Sequence, residues 1–213
     1  MTTTKSTLTH LATLVLTMSA CIVVAQTNQW KLVWSDEFNY HGLPDSTKWG
    51  YEEGFVRNKE SQYYTKARLE NARVEDGQLV IECRKEPFTP LNHAPVDYTA
   101  ASLMTKNLAS FQYGRVEVRA KLPQGQGVWP AIWALGTNFN ADPDWPACGE
   151  IDIMEFVGKD PNNIYGTIHF PGEKQYKNLK GKLEMATNPS EDFHVYGIEW
   201  TPAQMDFFVD ETK

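Results

Sequence analysis

Three carboxylates crowd into one short stretch, "GEIDIME": Glu150, Asp152 and Glu155. Ile151 and Ile153 alternate with the first two, so the stretch reads as a β-strand with an apolar and a polar face. Glu150 and Asp152 share a face, whereas Glu155, three positions on, falls on the other under strict alternation. Like charges on one short strand repel, so such a strand needs water or compensating donors beside it. Two carboxyl groups flanking a bond are what glycoside hydrolysis requires. One is ionised and attacks or stabilises the anomeric carbon, and the other carries a proton for the leaving oxygen. A middle carboxylate can hydrogen-bond one of them and raise a neighbour's proton affinity by like charge. A hard cation is the competing use of clustered acids. The spacing of a calcium loop is absent, however, and a strand offers ligands from one side only. Acids simply facing water are the plain alternative.

A carboxylate left facing the core is costly. One extra residue repairs this, so the spacing predicts a β-bulge near Ile153–Met154 that returns Glu155 to the face of Glu150 and Asp152. Met154 is then the inserted residue, its side chain turned away from the polar face. The outer acids end up effectively four strand positions apart, about 13 Å between Cα atoms. Inward-leaning side chains can close this to about 5–5.5 Å between carboxyl groups, the spacing for retaining rather than inverting hydrolysis.

Just upstream, "GVWPAIWAL" places Trp129, Ala131 and Trp133 on one strand face and Val128, Ile132 and Ala134 on the other. If the second set is core, both indoles lie beside the acidic strand. There they form a platform for the apolar faces of sugar rings. Burial of one or both indoles is the alternative.

The elements that must position these residues are strands. "GRVEVRAKL" alternates Val116, Val118, Ala120 and Leu122 with charged residues, and "GQLVIECRK" sets Leu79, Ile81 and Cys83 on one face. "WKLVWSDEF", "YTAASLMTK", "VWPAIWAL", "EIDIMEFV", "NIYGTIHF", "FHVYGIEW" and "QMDFFVD" complete the expected set. Turn signals such as "EDGQ", "PQGQG", "NADPDWP" and "GKDPNN" separate many of them. Many short strands with turns between them predict an all-β sandwich or barrel. No repeat or domain boundary interrupts it. The chain stops just after the strand expected at Met205–Val209, which would leave a sheet edge open. A C-terminal truncation is therefore expected.

Residues 1–25 have one early Lys, an apolar centre from Leu11 and small residues near their end, an export signal pattern. "VVAQ" suits cleavage after Ala25. "MSAC" offers a second reading, a lipoprotein box with Cys21 as the lipidated first residue. The apolar run is short and broken, which argues against a membrane span. Cys83 and Cys148 make no disulfide framework and are expected to be small buried residues. A net charge of −7 argues weakly against nucleic acid or a highly sulfated polymer as partner.

"YGRVEVRAKLPQGQGVWPAIWALG" followed by "WPACGEIDIMEFVG" closely resembles the catalytic core of glycoside hydrolase family 16. Its E-x-D-x-x-E form resembles the laminarinase-like members, which cleave β-1,3-glucans. The resemblance runs from about Val33 to the last residue, so residues 26–213 are expected to form that catalytic domain, with C-terminal strands missing. It implies a jelly-roll sandwich of two antiparallel sheets with a concave substrate cleft. It also implies that Glu150 is the nucleophile, Glu155 the acid/base and Asp152 their helper, with Trp129 and Trp133 stacking on sugar. Less specifically, it implies sugar contacts for Asn71 and Arg73, and a place near the acid/base for His169. Tyr64 and Glu199 are expected to be structural.

The expected protein is a secreted or periplasmic retaining endo-β-1,3-glucanase acting on laminarin-like polysaccharide, a monomer needing no cofactor. The family's structural calcium is compatible with the chain but not required. Action on mixed-linkage glucan or agar-type galactan stays open, as does a non-catalytic β-glucan-binding role, although such relatives typically lose the glutamates kept here.

Overall fold

Apolar alternation becomes a strand only where a partner lies alongside. The computed structural model, which describes residues 30–139, 144–173 and 176–213, shows where that happens. The export segment and Cys21 lie outside the described residues. Within the compact unit Leu32–Lys213, fourteen strands form and the described residues contain no helix. In chain order they are β1 (Gly50–Tyr51), β2 (Tyr63–Tyr64), β3 (Ala72–Glu75), β4 (Gln78–Ile81), β5 (Arg84–Phe88), β6 (Val96–Ala100) and β7 (Leu103–Met104). Then follow β8 (Gly114–Ala120), β9 (Ala131–Leu135), β10 (Glu150–Phe156), β11 (Asn163–Pro171), β12 (Tyr176–Glu184), β13 (His194–Trp200) and β14 (Met205–Val209).

Two antiparallel sheets carry the core, one in the order β12-β11-β10-β9 and the other β14-β13-β8. Their inward residues meet: Met154 and Phe156 of β10, Ile164 of β11, Tyr196 of β13, Val209 of β14 and Leu122 form one buried cluster. Val128 and Ile132 pack against it, as the expected core face of the Trp-rich strand requires. Each fully buried side chain of this size contributes about 1.5–3 kcal/mol. Two glycines set the approach. A methyl group on Gly166 would stand 2.7 Å from the Phe207 ring, so β14 can close over β11 there. One on Gly197 would stand 2.4 Å from both the Phe208 ring and the Val116 carbonyl. Phe208, which simple alternation would group with polar Asp206, is instead buried, with the Arg115 guanidinium 4.2 Å from its ring centre.

Smaller sheets flank these: β2-β6-β5, in which β2 and β6 run parallel, and the ribbons β3-β4 and β1-β7. Two expectations fail here, and one strand is not anticipated. "WKLVWSDEF" forms no strand. Its apolar residues Leu32, Val33 and Trp34 are exposed, and the chain beyond is organised by a polar knot. Asp36 accepts from Trp49 Nε1 (2.9 Å), Tyr40 Oη (3.0 Å) and the Phe38 amide (3.2 Å), with Lys48 3.4 Å away. "GQLVIECRK" breaks after Ile81, so its parity does not run through, and Ile81 and Cys83 are exposed rather than buried. Cys148 is half-buried. The strand not anticipated is β12, "YKNLKGKLE", where only Leu179 and Leu183 alternate with Asn178, Lys180 and Lys182 and nearly every residue is exposed. β12 and β9 are the edges of the sheet that carries the acids, and β14 and β8 are the edges of the other.

Candidate active site

β11 pairs regularly with β12 along its whole length, so it serves as the ruler for β10. Glu150 lies opposite His169, Asp152 opposite Thr167 and Glu155 opposite Tyr165. Residues 165, 167 and 169 alternate onto one face of β11, so the three acids share that face. Between them Ile153 and Met154 together oppose Gly166, which is the bulge that the spacing predicts. The register with β9 refines the detail. Asp152 pairs Trp133 and Met154 pairs Ile132, leaving Ile153, not Met154, without a partner. Ile153 and Met154 are both buried, and Met154 belongs to the core cluster. Glu150 and Glu155 span four residues of β11, about 13 Å between Cα atoms.

The acids are held by donors on every side. Trp145 Nε1 donates to Glu150 Oε2 (2.8 Å), and Trp129 Nε1 donates to Glu155 Oε1 (3.0 Å). Thr167 Oγ1 reaches Glu155 Oε2 at 3.5 Å, the limit of a hydrogen bond. His169 Nε2 lies 2.8 Å from Asp152 Oδ2 and 3.9 Å from Glu150 Oε1. The resemblance implies a place near Glu155 for this histidine. β11 instead brings it opposite Glu150, because two strand positions on the paired strand separate it from Thr167. Asp152 is buried. Loss of water holds its carboxyl up to about 7, reinforced by the charges of Glu150 and Glu155 and opposed by its bond to His169.

Trp129 is 66% exposed, so its ring face is open while its N–H is engaged. Trp133, opposite Asp152, is half-buried, with the Arg57 guanidinium 4.9 Å from its ring centre. Arg57 is in turn ion-paired to Glu52, which accepts from Ser102 Oγ (2.6 Å). On the other flank Trp145, His169 and Tyr176 form a continuous aromatic wall. Tyr176 lies 5.2 Å from the Trp145 ring centre and stacks on His169 at 5.5 Å.

Asn71 and Arg73 are not drawn into this group. Asn71 is fully buried, and its amide is committed to Thr65, Arg68, Thr99 and the Glu82 carbonyl. A side chain so saturated has no bond left for a sugar in this arrangement. Arg73 pairs with Glu75 and Glu82, each at 2.9 Å. Tyr64 bonds Glu60 and Gln62, and Glu199 pairs with Arg115 and Lys213, as structural residues do.

Trp145, Thr167, Tyr176 and Arg57 escape sequence reasoning. A tryptophan five residues before Glu150 was a usable signal, obscured by the turn-like "NADPDWP". Tyr176 lies on the strand that alternation cannot find. Glu150, Asp152 and His169 each offer an atom within 4.8 Å of the others, the one such set among the described residues. Within it His169 Nε2 meets Asp152 Oδ2, and Trp145 Nε1 meets Glu150 Oε2.

Two carboxylates on one face, each with one oxygen held by an indole N–H, and a buried acid between them can cleave a glycosidic bond. Comparisons with known proteins agree with this chemistry. The family model described as glycosyl hydrolases family 16 matches residues 59–213. The chain is 49% identical over 191 residues to a β-glucanase of Rhodothermus marinus, covering 86% of this chain and 64% of the relative's length. It is 38% identical to a glucan endo-1,3-β-glucosidase of Cryptopygus antarcticus, covering 85% of this chain and 67% of that one. The X-ray structure of the laminarinase from Rhodothermus marinus superposes with a TM-score of 0.76 at 46% identity, covering 86% of this chain and 72% of that one.

Proposed function

Because the chain belongs to glycosyl hydrolases family 16 and folds as an all-β sandwich of the jelly-roll type seen in its neighbours, we propose that it is a retaining endo-hydrolase of β-1,3-glucan. The observation that carries the reading is the bulge, which sets Glu150, Asp152 and Glu155 on one sheet face beside Trp129, Trp133 and Trp145. The names of its relatives, β-glucanase and glucan endo-1,3-β-glucosidase, supply the substrate class.

In this mechanism Glu150 is the nucleophile. The Trp145 indole holds Oε2, so Oε1 is the oxygen left to attack the anomeric carbon. Glu155 gives its proton to the glycosidic oxygen as that bond breaks, and the Trp129 N–H fixes its orientation. Glu155 then takes a proton from water, which hydrolyses the glycosyl-enzyme and frees Glu150. Asp152, buried between them, holds or releases a proton as their charges change. The open ring face of Trp129 and the Arg57-backed ring of Trp133 are platforms for flanking sugars. No cofactor is used, and the polymer is met outside the cytoplasm after removal of residues 1–25. No helix among the described residues is long and apolar enough to cross a membrane.

A reducing-sugar assay on laminarin, barley glucan and agarose tests this. Release from laminarin is expected, and Glu150→Gln and Glu155→Gln should each lower turnover by several orders of magnitude while oligosaccharide still binds. Wild-type turnover in Glu150→Gln would sink the assignment.

A further inference from the structure

The hydrogen bonds of the site continue beyond His169. His169 Nδ1 lies 2.5 Å from Tyr176 Oη, and Asn178 Nδ2 donates to that same oxygen at 2.7 Å. We propose that Tyr176, oriented by Asn178, is a positioning residue that fixes His169 with Nδ1 bare and the proton on Nε2, so that His169 always donates to Asp152 Oδ2. This rests on Asp152 serving the two glutamates as proposed above.

Donors and acceptors around the phenol bear on the tautomer. Asn178 already donates to the Tyr176 oxygen, which disfavours a second donor there and favours an O–H directed at His169 Nδ1, 2.5 Å away. A nitrogen that accepts cannot carry a proton, so the ring proton of neutral His169 sits on Nε2, 2.8 Å from Asp152 Oδ2. That contact already holds a hydrogen. Any proton bound by Asp152 must therefore sit on its other oxygen, away from His169 and available to the acids. The chain Asn178, Tyr176, His169, Asp152 thus runs in one direction across β12, β11 and β10, and register supports it. Asn178 lies opposite His169, and His169 lies opposite Glu150.

The charged and titratable groups around Asp152 come from several elements. Glu150 and Glu155 share its strand, and β11 supplies His169. β12 places Lys180 opposite Thr167, which itself faces Asp152. The Arg57–Glu52 pair stands behind Trp133. Among them only His169 hydrogen-bonds Asp152, so its tautomer decides which oxygen stays free.

The test is long-range ¹H–¹⁵N NMR on the ¹⁵N-histidine-labelled chain at a pH where the ring is neutral. Nδ1 of His169 is expected to be bare and Nε2 protonated, and a protonated Nδ1 overturns the proposal. This readout needs no substrate, so it stands or falls apart from the glucanase reading. Kinetics on a laminari-oligosaccharide supply the second arm. Tyr176→Phe keeps the ring and its stacking but loses the hydroxyl. It should lower kcat about tenfold, the size of one neutral hydrogen bond, with KM within about twofold. Asn178→Asp leaves Tyr176 intact but turns its hydroxyl toward the new carboxylate, and should lower kcat similarly. A raised KM with unchanged kcat in Tyr176→Phe, or no effect of Asn178→Asp, would make Tyr176 a sugar platform only.

Discussion

Replacing Asp152 with Asn should make the fold more stable at neutral pH while impairing the chemistry. The Asp152 side chain is only 7% exposed and lies between Glu150 and Glu155, so burial and like charge together hold its carboxyl up to about 7 from an ordinary 3.8. A folded state that binds a proton more tightly than the unfolded chain is unpenalised below the unfolded value. It loses stability as pH rises between the two values, and carries the full penalty above the folded one. A separation of about three pH units corresponds to about 4 kcal/mol, and sharing of the proton with the two glutamates brings the expectation to about 2–4 kcal/mol. Asparagine keeps an oxygen for His169 Nε2 and cannot ionise, so it lacks this penalty. Urea unfolding of both chains at pH 4.5, 6, 7 and 8 reads the effect. The stability of Asp152→Asn minus that of the parent should grow with pH by about 2–4 kcal/mol and level off near pH 8. Parallel pH profiles for the two chains would refute the reasoning, because they would mean that Asp152 ionises as easily folded as unfolded.

Other outcomes follow from single contacts. Trp145→Phe keeps the aromatic wall but frees Glu150 Oε2, and should lower kcat about tenfold with little change in KM on a laminari-oligosaccharide. Glu86, bound by Arg68 and Thr99, has its carboxyl lowered to about 2, so its contribution is present above the ordinary carboxylate range and lost as pH falls toward 2. After allowance for water around this partly exposed pair, Glu86→Gln should cost about 1–2 kcal/mol in unfolding at pH 7 and less near pH 3. Gly197→Ala must fit a methyl 2.4 Å from the Val116 carbonyl, and should destabilise the core by about 1–3 kcal/mol in thermal or urea melts.

The site was legible where a rule was visibly broken. Glu155 on the wrong parity demanded a bulge, and the bulge stands at Ile153–Met154. Trp129 and Trp133 were placed on the acid face because Val128 and Ile132 had an apolar face to occupy, and both pack against the core. Alternation is faint where a strand buries almost nothing. β12 is exposed along nearly its whole length, so neither it nor Tyr176 could be read. It also misleads where a strand ends unseen, as at Ile81, or where apolar residues find no partner strand, as at Leu32–Trp34. Asn71 shows a different limit. An amide beside an arginine looks the same in sequence whether it meets a sugar or closes a buried network, and here it bonds Thr65 and Thr99. His169 was found by type, but its partner depended on strand register, which no local pattern encodes.

The central claim is that one bulge turns E-x-D-x-x-E into a retaining pair of glutamates on a β-1,3-glucan. The most direct measurement is ¹H NMR of the anomeric protons during the first minutes of hydrolysis of a laminari-oligosaccharide, before mutarotation. With a retaining pair, the β-anomer of the new reducing end appears first and the α-anomer only later, by equilibration. An α-anomer formed first would require the roughly 6.5–9.5 Å separation of an inverting pair. It would contradict the placement of Glu150 as nucleophile and Glu155 as acid/base across Asp152.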